Sequence, residues 1–335
     1  MARVQRGEEE LIDRLRRRIP SAPRGALRLG IGDDAAVIRP RPGSEWVVTS
    51  DQFIEGVHFL SELQPPEAIG YKALARATSD VGAMGGKPVF FLLSICLPAE
   101  RAGSWLDRMA RGMARAARRY GLVLAGGDTA RSAPGNPAIA MDLMVLGEVR
   151  PGRAVGRGGA RPGDAVFVSG TLGASQLGLE LILSGLAKDR RWRNLLEPHF
   201  YPAIAIEMGR WLAEHRLVSA MMDISDGLST DLHRLCEASH AGARIDENKL
   251  PAVAVPRLLR SKGIDSKSLA LHGGEDYGLL FTVRKRRAGS IPKAFRGQRI
   301  TRIGEIVAGD EVTLVADNRS SLLAPQGWDH FRKSR

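Results

Sequence analysis

Residues 150–163 read Arg-Pro-Gly-Arg-Ala-Val-Gly-Arg-Gly-Gly-Ala-Arg-Pro-Gly, a stretch that neither a helix nor a strand can absorb. Proline removes amide donors and glycine resists ordering, in helix and strand interiors alike. The 335-residue chain is therefore divided near its middle, in keeping with the ~100–200 residues of an ordinary domain. Two domains are expected, residues 1–150 and residues 151–335.

Each half mixes strands with helices. In the first, residues 46–50 read as a strand, and Pro66 opens a helix to about Met84 with Ile69, Ala73, Ala77 and Val81 on one face. The apolar run 89–97, ended by Pro98, predicts a strand buried on both faces. A helix over 104–120 stops at Gly121, and strands are expected at 123–125 and 139–145. The second half predicts helices near 174–186, 203–214 and 230–238, with strands near 165–168, 220–222, 279–283, 301–306 and 312–315. The absence of regular βαβ spacing favours an α+β fold over a doubly wound sheet.

Hydrophobic residues at 44% and charged residues at 26% are ordinary for a globular protein, which argues against disorder or a fibre. No apolar run approaches the ~18–20 residues that cross a bilayer, and the first residues turn charged at once, without a signal core. A soluble, cytoplasmic chain is expected. The two cysteines, Cys96 and Cys236, exclude a disulfide framework, a Cys-x-x-Cys redox pair and a cysteine-rich zinc site. Both are expected as buried thiols. The net charge of +12 and pI near 10.3 raise nucleic acid as a partner. Yet the densest basic runs, at 16–18, 284–287 and 332–335, are not interleaved with aromatics that could stack bases. A basic background attractive to phosphorylated metabolites is the preferred reading.

The chemistry lies in a recurrence of aspartates at the ends of apolar runs, several with glycine nearby: Asp33 and Asp34, Asp51, Asp128, and Asp223 and Asp226. Asp80 joins them from the last turn of a helix. Any one of these could be an ordinary turn residue. Together they point to cations, because clustered carboxylates repel unless neutralised. Hard oxygen ligands without His or Cys select Mg²⁺ or Mn²⁺, and one or two carboxylates completed by phosphate oxygens suit nucleotide-dependent phosphoryl transfer. Two motifs fail on context. Gly30-Ile31-Gly32-Asp33-Asp34-Ala35 is followed by prolines rather than a helix, and Gly85-Gly86-Lys87-Pro88 has proline where a P-loop has its Ser or Thr. No G-x-S-x-G elbow and no histidine pair at ligand spacing occurs. His58 follows Asp51 closely enough to share its site, or to serve only packing.

Seven segments, in order, resemble the thiamine-monophosphate kinase family, within the aminoimidazole ribonucleotide synthetase superfamily. They are Ile31-Gly32-Asp33-Asp34-Ala35-Ala36, Asp51 through Phe59, Ser79 through Gly85, Gly126-Gly127-Asp128-Thr129, Asp223-Ile224-Ser225-Asp226-Gly227-Leu228, Gly273-Gly274-Glu275-Asp276-Tyr277 and Gly327-Trp328-Asp329-His330-Phe331. The aspartate motifs mark the superfamily; the His58 segment and the last two single out the kinase. The resemblance implies transfer of the ATP γ-phosphoryl group to thiamine monophosphate, giving thiamine diphosphate, with several Mg²⁺ ions and no covalent nucleophile. By the same resemblance Asp34, Thr49, Ser50, Asp51, Asp80, Asp128, Asp223 and Asp226 would hold metals. Gly127, Asp128, Arg157 and Ser225 would contact ATP, and His58, Glu275 and Trp328 the thiamine monophosphate. It also implies an N-terminal domain that binds ATP and Mg²⁺ and pairs its sheet with a second copy in a barrel-like homodimer, beside a C-terminal α+β domain. Two departures stand out: Glu9 replaces an apolar anchor of the family, and Gly278 replaces an acidic residue.

Other ATP-using enzymes of the superfamily stay open at this point: a purine-biosynthetic cyclo-ligase, a selenophosphate synthetase or a hydrogenase maturation factor. The placing of Cys96 and Cys236 counts against the last two. A basic nucleic-acid-binding protein is the alternative of a different class, and it leaves the aspartates unexplained.

Overall fold

The computed structural model describes residues 8–31, 35–135, 138–317 and 319–331. The chain forms two compact units, Met1–Val81 with Gly86–Pro151, and Gly82–Gly85 with Gly152–Arg335.

The first unit contains helices α1 (Glu8–Arg18), α2 (Pro66–Ala83) and α3 (Ser104–Tyr120), and strands β1 (Leu27–Leu29), β2 (Val37–Ile38), β3 (Glu45–Ile54), β4 (Lys87–Leu97), β5 (Val123–Arg131) and β6 (Ala140–Val149). Its main sheet runs β3-β6-β4-β5, antiparallel except for the β4–β5 pair. α3 is strongly amphipathic: Leu106, Met109, Ala110, Met113 and Ala117 are buried, while Arg108, Arg111, Arg115 and Arg118 face outward. It ends where Gly121 turns left-handed at φ 75° and returns its N–H to Ala117 O. α2 and α3 cross closely because glycines stand at the crossing. A Cβ on Gly112 would lie 1.8 Å from Glu67 O, so any side chain there would push the helices apart.

α2 lies over the β3 face that carries Val47, Thr49, Asp51 and Phe53, with Asp80 and Arg76 reaching Thr49 and Asp51. The opposite face corrects the reading of β4 as buried on both sides. Near Phe90 it is covered by a small cluster with Leu27, Val123 and Ala125. Further along it is open: Ser94 of β4 is exposed, as are Val48 at 56% and Met144 at 36%. Cys96 lies on this strand half-buried, so only Cys236 is a buried thiol.

The second unit is built on a sheet ordered β14-β13-β9-β12-β7-β10-β8. Its strands are β7 (Ala165–Ser169), β8 (Ala220–Asp223), β9 (Gly242–Asp246), β10 (Leu279–Val283), β11 (Ala294–Phe295), β12 (Gln298–Val307), β13 (Val312–Ala316) and β14 (Arg319–Leu322), with β11 paired to β12 alone. Its helices are α4 (Ala174–Leu183), α5 (Arg193–Phe200), α6 (Ile206–Glu214), α7 (Leu228–Ser239), α8 (Arg257–Arg260) and α9 (Ser266–His272). Here the central strands are buried on both faces. Val166 and Val168 of β7 join a core with Leu228, Leu232 and Leu235 of α7, while Ala165 and Phe167 join another with Met208 and Leu212 of α6. A third core, under α4 and α5, includes Leu177, Leu181 and Leu196. Burying each such leucine contributes roughly 1.5–3 kcal/mol.

Candidate active site

In the first unit β3 presents Thr49, Ser50 and Asp51 in succession, so alternate side chains take opposite faces. Thr49 and Asp51 meet α2, where Arg76 and Asp80 are one turn apart. Thr49 Oγ1 donates to Asp80 Oδ2 at 2.6 Å, and Arg76 Nε lies 3.4 Å from Asp51 Oδ2. Ser50, on the other face, donates to Asp142 Oδ1 at 2.9 Å. β3 and β5 are the two edges of this sheet. Asp128 therefore stands three strand spacings from Asp51, about 14 Å at ~4.8 Å each, in register with Ser94. Gly127 beside it allows β5 its close approach to β4, since a Cβ there would lie 1.8 Å from Leu93 O. The unit thus joins Thr49 with Asp80 and Asp51 with Arg76, and leaves Asp128 apart. Asp34 lies outside the described residues.

No turn occurs at Asp51; β3 runs on to Ile54. The chain then turns through Gly56, at φ 79°, to His58. The Ile54 N–H donates to His58 Nδ1 at 3.0 Å, and the ring stacks on Phe53 with centroids 5.8 Å apart. Because Nδ1 accepts, the neutral imidazole carries its proton on Nε2.

The second unit ties its candidates together through the backbone. β8 ends at the buried Asp223, and residues 224–227 lead into α7, with Gly227 at φ 106°. Asp231, wholly buried in the first turns of α7, accepts from the Ser225 and Asp226 amides, both at 3.0 Å. Arg234 Nη1 pairs with Asp226 and lies 3.0 Å from Asp231 Oδ1. Burial pushes the Asp231 carboxyl up to about 7, with the Asp226 charge adding to the push and Arg234 pulling it back.

The loop after α9 is laced onto the same segment. Glu275 N donates to Ser225 O at 2.7 Å, Tyr277 N to Ile224 O at 2.9 Å, and Ile224 N to Gly278 O at 2.8 Å. Glu275 and Tyr277 are both left-handed, at φ 65° and 50°, each at a cost of roughly 1–3 kcal/mol that these bonds must offset. Between them Asp276 accepts from the amides of Gly173 (2.6 Å) and Ser175 (3.1 Å) at the start of α4. Desolvation pushes its carboxyl up to about 7 against the pull of those amides. The C-terminal segment closes on the other side. Trp328 N donates to Asp226 O at 2.9 Å, Gly327 N to Thr230 Oγ1 at 3.0 Å, and a Cβ on Gly327 would lie 1.9 Å from Asp226 O. The Trp328 ring itself is 48% exposed.

Asp223, Ser225, Asp226, Glu275 and Trp328 are thereby gathered into one knot. Arg157 is not among them. Its carbonyl accepts from Ser239 Oγ at the far end of α7, about 18 Å along the helix from the Ser225 end at ~1.5 Å per residue, and its side chain is exposed. Sequence reading assigned no role to Asp231, Arg234, Arg76 or Asp142. An acidic residue early in a helix and a basic residue one turn before Asp80 were the available signals.

Residues 32–149 match the family model described as AIR synthase related protein, N-terminal domain, and residues 161–317 that of the C-terminal domain. A thiamine-monophosphate kinase of Escherichia coli is 35% identical over 333 residues, 97% of this chain and 98% of that one. The chain belongs to the thiamine-monophosphate kinase family. The crystal structure of thiamine-monophosphate kinase from Stenotrophomonas maltophilia superposes with a TM-score of 0.78 at 32% identity, covering 92% of this chain and 96% of that one. AaThiL complexed with AMPPCP and TMP superposes at 0.76 with 35% identity, over 99% of both chains. The two-domain α+β architecture of this kinase family is thus the architecture of the chain. No helix among the described residues is long and apolar enough to cross a membrane.

Proposed function

We propose that the chain transfers the γ-phosphoryl group of ATP to thiamine monophosphate, giving thiamine diphosphate and ADP. The observation that carries this reading is the knot in the second unit. It sets an acidic residue, Glu275, and a half-exposed aromatic, Trp328, beside the Ser225–Asp226 backbone, in a chain whose relatives carry the kinase's name. An oxygen of the substrate's own phosphate forms the new bond to the γ-phosphorus, and the bond to the β,γ-bridging oxygen breaks to release ADP. Loose, anionic transfer of this kind asks for positioning and charge neutralisation rather than a covalent nucleophile.

The proposed roles are those that the family resemblance implies. Glu275 meets the cationic thiazolium or the aminopyrimidine, Trp328 covers the pyrimidine ring, and His58 contacts thiamine monophosphate. Gly127, Asp128, Arg157 and Ser225 contact ATP. Asp34, Thr49, Ser50, Asp51, Asp80, Asp128, Asp223 and Asp226 are the oxygen donors for Mg²⁺. Thr49 Oγ1 and Asp80 Oδ2, 2.6 Å apart, bring two hard oxygens to one spot. That suits a cation which takes most of its shell from water and phosphate. Bound Mg²⁺ would supply the positive charge that offsets the triphosphate. The chain's own part is to hold Asp51 against Arg76, Asp80 against Thr49, and Asp226 against Arg234.

A coupled assay with ATP and Mg²⁺ tests the reading. ADP release should require thiamine monophosphate; release with thiamine or an aminoimidazole precursor but not with thiamine monophosphate would overturn it.

The proposal includes a cytoplasmic homodimer built through residues 1–150, which also carry ATP and Mg²⁺ binding, with residues 151–335 as the partner domain. The open sheet face supports it, because exposed Val48 and Met144 on a strand-rich surface call for an apolar cover. Light scattering at micromolar concentration should return about twice the 36.3 kDa of one chain; a mass near 36.3 kDa would refute the dimer.

A further inference from the structure

α5 carries His199, whose ring is only 1% exposed, and buried polar side chains persist where partners hold them. It is seated by a close crossing of α4 and α5: a Cβ on Gly178 would lie 2.7 Å from the His199 Cβ. His199 Nδ1 lies 3.1 Å from Ser175 Oγ and 3.6 Å from Glu275 Oε2. Ser175 in turn donates its backbone N–H to Asp276 Oδ1 at 3.1 Å. The start of α4 therefore holds the 275–276 dipeptide twice, directly through Asp276 and by way of the imidazole at Glu275.

The two ties do different work. Asp276 and the amide bonds of Glu275 and Tyr277 fix the backbone of the loop in its left-handed course. They leave the Glu275 side chain its own rotamers. His199 meets this carboxylate from α5. A proton on Nδ1 suits an imidazole nitrogen 3.6 Å from a carboxylate oxygen, since a lone pair there would repel the anion. Nδ1–H then serves both neighbours, with Ser175 Oγ as its nearer acceptor and Glu275 Oε2 within its field. His58, by contrast, receives an amide N–H on Nδ1 and so is the opposite tautomer.

We propose that His199 is a positioning residue for Glu275: its Nδ1–H sets the direction of the Glu275 carboxylate and thereby the affinity for the thiamine moiety. This rests on the reading of Glu275 as a substrate contact. The competing role is space-filling beside Gly178, which would make no use of which nitrogen bears the proton.

Two variants of the full chain separate the roles. Asparagine places an amide N–H where Nδ1–H stands, and glutamine places it near Nε2. His199→Gln should raise KM for thiamine monophosphate about tenfold, with kcat and KM for ATP little changed, while His199→Asn stays within about threefold of wild type. Space-filling predicts the reverse order, because asparagine leaves the larger hole. Glu275→Gln is measured beside them. If it raises KM for thiamine monophosphate but the two His199 variants behave alike, the role of His199 falls and the reading of Glu275 stands. If Glu275→Gln changes nothing, the substrate-contact reading falls and takes the proposal with it. Should neither His199 variant fold, long-range ¹⁵N–¹H spectra of histidine-labelled wild type decide: a protonated Nδ1 at His199 is expected, and a bare Nδ1 with the proton on Nε2 overturns the proposal.

Discussion

Asp128→Asn should lower kcat by roughly 10²–10³-fold, the scale of removing one preorganised electrostatic contact to a transition state. The residue is exposed on the edge strand β5, so stability should stay within about 0.5 kcal/mol of wild type. The exchange keeps shape and removes one negative charge, and with it a donor for the cation that offsets the triphosphate. KM for thiamine monophosphate should move little, which separates loss in the transition state from loss of substrate binding. Asp51→Asn should act in the same direction. Its carboxylate shares Arg76 at 3.4 Å, so this variant also leaves a guanidinium with less to neutralise it and should cost some stability besides. Steady-state kinetics at saturating Mg²⁺ with thermal melts of both variants checks this. Near wild-type turnover in either would remove that residue from the metal set.

The second large effect is expected at Trp328. With 48% of the residue exposed, the indole is not the wedge that fixes the C-terminal segment; the backbone bonds of Gly327 and Trp328 to Thr230 and Asp226 do that. The nearest aromatic partner is His330, edge-on at 5.6 Å. Trp328→Ala keeps the amide, so the melting temperature should hardly change. What is lost is a face on which a pyrimidine can lie, worth ~1–3 kcal/mol by analogy with base–aromatic stacking. KM for thiamine monophosphate should rise about tenfold or more, with KM for ATP unchanged. A clear drop in melting temperature with KM for thiamine monophosphate unchanged would instead make the ring a structural anchor.

Local periodicity made α2 and α3 legible, while α1 went unread. The spacing of Ile69, Ala73, Ala77 and Val81 marks α2, and Gly121 stops α3 where its left-handed φ is needed. The same reasoning misjudged β4, because an apolar run does not say what covers each face; in this chain one face carries Ser94 into the open. It also ended strands at Ser50 and Ala125, where β3 and β5 run on to Ile54 and Arg131, since an aspartate can end an apolar run without ending a strand. In the candidate site the motif segments named Asp223, Ser225, Asp226, Glu275 and Trp328. What they could not convey is how those residues meet. That depends on Asp231 reaching back to two amides, and on Asp276 reaching across to α4, about a hundred residues away in sequence. Both are ordinary acidic residues until the fold surrounds them. Arg157, implied by the resemblance but outside all seven segments, has its backbone at the far end of α7.

The seat of Gly327 on Asp226 O has a consequence in time. During synthesis Asp226 emerges about a hundred residues before Gly327. At ~5–20 residues per second that interval is roughly 5–20 s. Throughout it the Asp226 carbonyl and the Thr230 hydroxyl lack the chain that later covers them, and for much of it β8 also waits for β10, the strand it pairs with. The segment proposed to hold the aromatic substrate is therefore the last part of the knot to be made. A chain cut short in the intervening stretch carries Asp223–Gly227 but no Trp328 to complete the knot.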